Sequence, residues 1–177
     1  MIGKTLSTLL LSGASLFSMA NVSSAGTVWQ EYNGSLYSLT PPYISWENSE
    51  EYALSQGGHL VSLNGQNEEN WIKEMYGTDN QFWIGFTDQY SEGDWRWING
   101  DPVVYTNWHI SEPNNSRGLE DWAAMNGYGD KTWLDYPREI TVPLNGIIEV
   151  PIPEPSTLAL LAVGGVMARS ISRRRKD

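Results

Sequence analysis

Oxygen ligands are densest in this sequence between Glu112 and Asp121. Glu112, Asn114, Asn115, Glu120 and Asp121 fall within that stretch. Carboxylates and amides of this kind suit a hard divalent cation, since calcium takes about six to eight oxygen ligands. Zinc and copper have little support, because the chain holds no cysteine and two histidines. Pro113 separates Glu112 from Asn114, and an X–Pro bond adopts the cis form at modest cost. Such a bend would aim both side chains at one point. Spacing alone also fits an acidic turn punctuated by proline. Upstream, Asp88 and Glu92 stand in Thr87-Asp-Gln-Tyr-Ser-Glu92, beside Gly93. Downstream, Asp135 follows Trp133-Leu134.

The elements that must position these residues change character along the chain. Gly26 to Leu39 is Tyr-rich and broken by Asn33-Gly34, the pattern of a hairpin. Ser45 is placed to cap a helix whose Trp46, Ser49 and Ala53 share one stripe, and Gly57-Gly58 ends it. A second helix is expected after Asn64, with Trp71, Ile72 and Met75 as its apolar face and Gly77 as its stop. From Phe82 onward helical periodicity vanishes. Short aromatic runs alternate with Gly, Asn, Asp and Pro, so the fold class is α+β. Gly100 to Trp133 is expected to be long connecting loop, a length that usually carries function. Trp83, Trp95, Trp97, Trp108 and Trp133 are expected in the core, and His59 and His109 in local hydrogen bonds.

Charge narrows the partners. The 177-residue chain has a formal net charge of −10. Residues 26–152 alone hold 19 acidic against 5 basic side chains, a net of −14. An acidic middle repels a phosphate backbone, so no nucleic-acid partner is expected. It favours cations.

The ends read as addresses. Lys4, an apolar stretch from Leu6 to Met19, and Ser23-Ser-Ala25 form the three regions of a signal peptide over residues 1–25. At the other end, Pro153-Glu-Pro155 precedes an apolar run to Ala168 and the basic cluster Arg173-Arg-Arg-Lys176. This order resembles the PEP-CTERM sorting signal of Gram-negative bacteria. The resemblance implies export, a transient halt in the inner membrane, and cleavage by an exosortase-type protease. The protein would then rest at the cell surface or outside the cell. The run is short for a stable span, which needs roughly 17–25 residues. Residues 26–150 are left as the folded domain and 151–177 as the sorting segment.

Within that domain, Gly57-Gly-His-Leu60, Trp83-Ile-Gly85, Trp95-Arg-Trp97, Asn107-Trp108, Glu112-Pro-Asn114, Glu120-Asp121 and Trp133-Leu-Asp135 follow one another in order. Together they resemble the C-type lectin-like domain over about Tyr37 to Val150. The resemblance implies two helices flanking a small antiparallel sheet, with a long loop that bears ligands. It implies a sugar-site calcium on Glu112, Asn114, Glu120 and Asp135, with Pro113 cis. It also implies an auxiliary calcium on Asp88, Glu92, Asn115 and Asp121. Two departures stand out. The family's cysteines are missing, with Ala53, Ile148 and Trp122 in such places. Leu134 stands where an Asn ligand is usual.

Two adjacent sugar hydroxyls can replace waters on such an ion, donating to Glu112 and accepting from Asn114. In the family, Glu-Pro-Asn goes with mannose- or glucose-type hydroxyls. The expected function is calcium-dependent binding of a cell-surface or matrix exopolysaccharide. The alternative is a structural or adhesive matrix protein that keeps the fold and binds no sugar, which Leu134 favours. Glu112 and Glu120 could also form a glycosidase pair. No Ser-His-Asp or Cys-His set accompanies them, and no enzyme is expected.

Overall fold

In the computed structural model, which describes residues 28–153, Ser45 is extended and its hydroxyl accepts from the Asn48 amide at 3.3 Å. That bond satisfies a free amide at the start of helix α1 (Trp46–Ser55). Trp46, Ser49 and Ala53 turn inward together. The helix ends at Gly57, which takes a φ of 89° that a side chain would resist. Helix α2 (Gln66–Tyr76) stops at Gly77. Its inward stripe is Glu69, Ile72 and Tyr76, spaced three and four residues apart. Met75 falls at the edge of that stripe and is 42% exposed, contrary to its expected place on the packed face.

Asn33 and Gly34 both have positive φ and close the hairpin of β1 (Gln30–Tyr32) and β2 (Ser35–Leu39). The sheet is organised around its last strand, β9 (Glu139–Pro151). Antiparallel to it run β2, β3 (Tyr43–Ser45) and β4 (His59–Leu60). The strand β5 (Phe82–Thr87) lies parallel to it. Beyond β5 come β6 (Arg96–Trp97) and β7 (Glu120–Met125), and β8 (Leu134–Pro137) pairs with β7. The class is α+β as expected, and the sheet is mixed rather than purely antiparallel.

The strand β7 interrupts the stretch expected to be loop. Trp122 to Met125 is buried throughout, so the polar–apolar alternation that marks a half-buried strand is absent. The true long loop is the segment between β6 and β7, closed by a 3-10 turn at Ser116–Gly118.

Two apolar clusters fill the interior. One joins Ile72, Ile84, Phe86, Trp97 and Trp133, and the other Trp46, Trp83, Trp122, Leu134 and Leu144. Trp95 and Trp108 pack partly buried beside Phe86, at ring distances of 5.4 and 5.9 Å. Ala53 and Ile148 are both fully buried where the family's bridge would join helix to strand. A fully buried indole covering about 200 Å2 contributes roughly 5 kcal/mol at 25 cal/mol per Å2. A disulfide across a long loop contributes about as much on the chain-entropy account.

The expected signal peptide, and the apolar and basic parts of the sorting segment, lie outside the described residues. Among the described residues no helix is long and apolar enough to cross a membrane. Strand β9 reaches Pro151, and the Ile152 amide donates to the Gly34 carbonyl at 2.8 Å.

Candidate functional site

The long loop is laid against the start of β8 by backbone bonds. The Trp133 amide donates to the Asn107 carbonyl at 2.8 Å, and the His109 amide to the Trp133 carbonyl at 2.9 Å. The Glu112–Pro113 bond is cis. Asp135, 3% exposed on β8, meets the chain just beyond it. Its carboxylate accepts from the amides of Asn114 at 3.1 Å and Asn115 at 2.8 Å. Asn114 donates its side-chain amide to Glu112 at 2.6 Å. Glu120 opens β7, and its carboxylate accepts from the Ser116 amide at 2.7 Å. Glu112, Asn114, Glu120 and Asp135 therefore belong to one hydrogen-bonded neighbourhood.

The second set adjoins it through Asn115, a residue in the left-handed region with a φ of 43°. Its side-chain nitrogen donates to Glu92 and its side-chain oxygen accepts from the Glu120 amide. Asp88 is 1% exposed; one of its oxygens accepts from the Gly93 amide at 2.8 Å. Its amide donates to the Asp121 carbonyl at 3.2 Å. Asp88 Oδ1 is buried with no hydrogen-bond partner.

Negative charge is crowded here. Burial, then contact with the Asp135 carboxylate, pushes the Glu112 carboxyl up. Burial and then the Asp135 charge raise Glu120, although the Ser116 amide opposes the shift. Burial raises Asp88, with Glu92 and Asp121 adding to it. Burial first, and Asp135 after it, shift Glu112 and Glu120 the same way. An acid–base pair would need environments that push the two apart.

Among the described residues no group of three or more His, Cys, Asp and Glu side chains is disposed to hold a metal ion. The oxygens are instead turned onto the chain's own donors. The donor set nonetheless fits a hard cation in kind. Asp88 Oδ1 is a buried oxygen lacking a donor, and Asp135 adds to the burial that raises Glu112, so negative charge gathers where a cation would be favoured.

Leu134 takes no part in this neighbourhood. It is 9% exposed within the apolar cluster, so close to Gly127 that an added Cβ there would overlap its side chain. Sequence reasoning missed Tyr128. Its hydroxyl donates to Glu112, and its ring stacks on His109 at 3.8 Å. Gly127-Tyr-Gly129 reads as an ordinary turn, and nothing local to it points at Glu112. The two histidines are engaged locally, His59 with Glu50 at 2.6 Å and His109 with Ser111 at 2.8 Å.

The family profile of the Lectin C-type domain matches residues 43–140, and that of the PEP-CTERM protein-sorting motif matches 151–176. The chain belongs to the C-type lectin domain family and carries a PEP-CTERM sorting motif. It is 36% identical over 107 residues to human "C-type lectin domain family 17, member A", covering 60% of this chain and 28% of that protein's length. The mouse scavenger receptor C-type lectin carbohydrate-recognition domain superposes with a TM-score of 0.63 at 29% identity, covering 71% of this chain and 95% of that one. A calcium-independent type II antifreeze protein superposes equally well, with a TM-score of 0.63 at 25% identity over 71% and 92%. The family model, the human relative and the mouse structure that it matches are all of C-type lectin domains, a family of binding domains rather than enzymes.

Proposed function

We propose that this domain is an exported, calcium-dependent glycan-binding module. Its primary ion site would use Glu112, Asn114, Glu120 and Asp135, and its auxiliary site Asp88, Glu92, Asn115 and Asp121. The observation that supports the reading is the run of hydrogen bonds that links Glu112, Asn114, Glu120 and Asp135 across the loop, β7 and β8. Calcium would supply a centre that two neighbouring sugar hydroxyls can approach. Glu112 would accept a hydrogen bond from one hydroxyl, and Asn114 would donate one to another. Mannose- or glucose-type hydroxyls on a surface or matrix polysaccharide are the expected ligand. The sorting motif supports an exported protein processed by an exosortase-type protease. Its expected inner-membrane contact would be made by residues outside those described.

A second reading has its own support. Leu134 removes one family ligand, and the same fold occurs in an antifreeze protein called calcium-independent. On that reading the domain is a structural or adhesive matrix component.

Calcium titration of the purified protein, followed by Trp fluorescence and melting temperature, separates the two when joined to a glycan array with and without chelator. We expect calcium to raise the melting temperature and chelator to remove glycan binding. Glu112→Ala and Asn114→Ala should each abolish glycan binding with the fold retained. Calcium stabilisation without any glycan signal would favour the matrix reading, and no response to calcium would sink both ion sites.

A further inference from the structure

Glu69 stands in the first turn of α2 and has no solvent exposure. Four side chains reach its carboxylate. One oxygen accepts from Lys73 Nζ at 2.7 Å, Asn107 Nδ2 at 2.9 Å and Trp133 Nε1 at 3.2 Å. The other accepts from the Tyr105 hydroxyl at 2.6 Å. Lys73 lies one turn along the same helix and supplies the opposite charge. The other three donors come from elsewhere. Tyr105 and Asn107 sit in the long loop, ahead of Glu112. Trp133 sits two residues ahead of Asp135. A buried carboxylate is tolerated where a cation and further donors meet it, and losing those partners is costly. Burial and the neighbouring Glu69 push the Tyr105 hydroxyl up, which keeps it a neutral donor.

This carboxylate thus holds both approaches to the acidic neighbourhood. The same two segments are already joined by the Trp133–Asn107 and His109–Trp133 backbone bonds. We propose that Glu69 is a positioning residue: it ties the loop bearing Glu112 and Asn114 to the strand bearing Asp135. In this cysteine-free chain it does by hydrogen bonds what a bridge would do covalently. The tether stands on geometry alone; its effect on an ion rests on the calcium reading above.

Amide hydrogen exchange of the full-length protein in chelator reads the tether without any metal. Glu69→Gln keeps the side chain's size and removes its charge. Ile148→Val, a buried change on β9 away from the loop, serves as the control for general loss of stability. Amides of residues 105–119 should exchange roughly tenfold faster in Glu69→Gln than in the control. Equal protection in the two variants would overturn the proposal. Tyr105→Phe and Asn107→Ala each remove one donor and should loosen the same amides by a smaller factor. Should Glu69→Gln fail to fold, these two variants decide: unchanged exchange in both overturns it. Terbium affinity, read by Trp-sensitised luminescence, is the second measurement. It should fall roughly tenfold in Glu69→Gln, the scale expected when support for a ligand is removed, and change little in Ile148→Val. A wild-type protein that binds no terbium would defeat the calcium reading, and the exchange result would then judge Glu69 by itself.

Discussion

Asp135 serves the loop before it serves any ligand. Its carboxylate accepts from two consecutive backbone amides, those of Asn114 and Asn115, at 3.1 and 2.8 Å. Bonds to a charged acceptor are stronger than neutral ones, and a donor left unpaired keeps its desolvation cost. Asp135→Ala should therefore lower stability by about 3 kcal/mol even without calcium, measured by urea unfolding in chelator. A loss under about 1 kcal/mol would mean that water replaces the carboxylate freely. The residue types at this position and at Glu112, Asn114 and Glu120 were legible in the sequence through the order of the family motifs, whereas spacing alone also fitted an acidic turn. Their partners were not. Nothing local to Tyr128 points to Glu112, and nothing local to Leu134 says that it faces Gly127 and an apolar cluster.

Strand β9 is the element on which the others are assembled, and glycines let them come close. At Gly58 an added Cβ would lie 2.1 Å from the Glu149 carbonyl oxygen, which is backbone of β9 and cannot rotate aside. Gly58→Ala should cost about 2–3 kcal/mol through that overlap. Gly129→Ala meets nothing within 4 Å and should stay within about 0.5 kcal/mol of wild type. Urea melts of the two variants check the contrast. Helix α1 was readable from its cap, stripe and glycine stop, and α2 from its glycine stop. Strand β7 was not, because Trp122 to Met125 is buried on both faces and loses its alternation. Met75 was misplaced for a related reason: a stripe on a short helix does not define its own centre until Glu69 is known to face inward.

The molecule as a whole is acidic, and part of that acid is buried. Burial pushes Glu149 up, aided by the Glu68 charge and opposed by Ser35, the Ser62 amide and the Tyr37 hydroxyl. Burial also raises Glu50, against the Leu60 amide and His59. A carboxyl raised on folding binds its proton more tightly in the native state than in the unfolded one. Stability from these groups therefore grows as pH falls from their raised values to the ordinary carboxylate range, about 4.3, and is lost as pH rises through that window. In chelator the melting temperature should rise on mild acidification below neutrality, and Glu149→Gln should flatten the dependence. An unchanged slope in that variant would remove Glu149 as a cause.

The sequence by itself determined the residue types available for an ion, the two helices with their ends, the acidic balance and the order of family motifs. These depend on neighbours a few positions away, whose energetics are local. Only the tertiary structure decided which carboxylates touch, which strand is central and which glutamate is buried. Asn114 and Asp135 are 21 residues apart, and Glu69 and Trp133 are 64 apart. Contacts at such separations form only after loops close and apolar surface is buried, so their partners are fixed by packing in three dimensions.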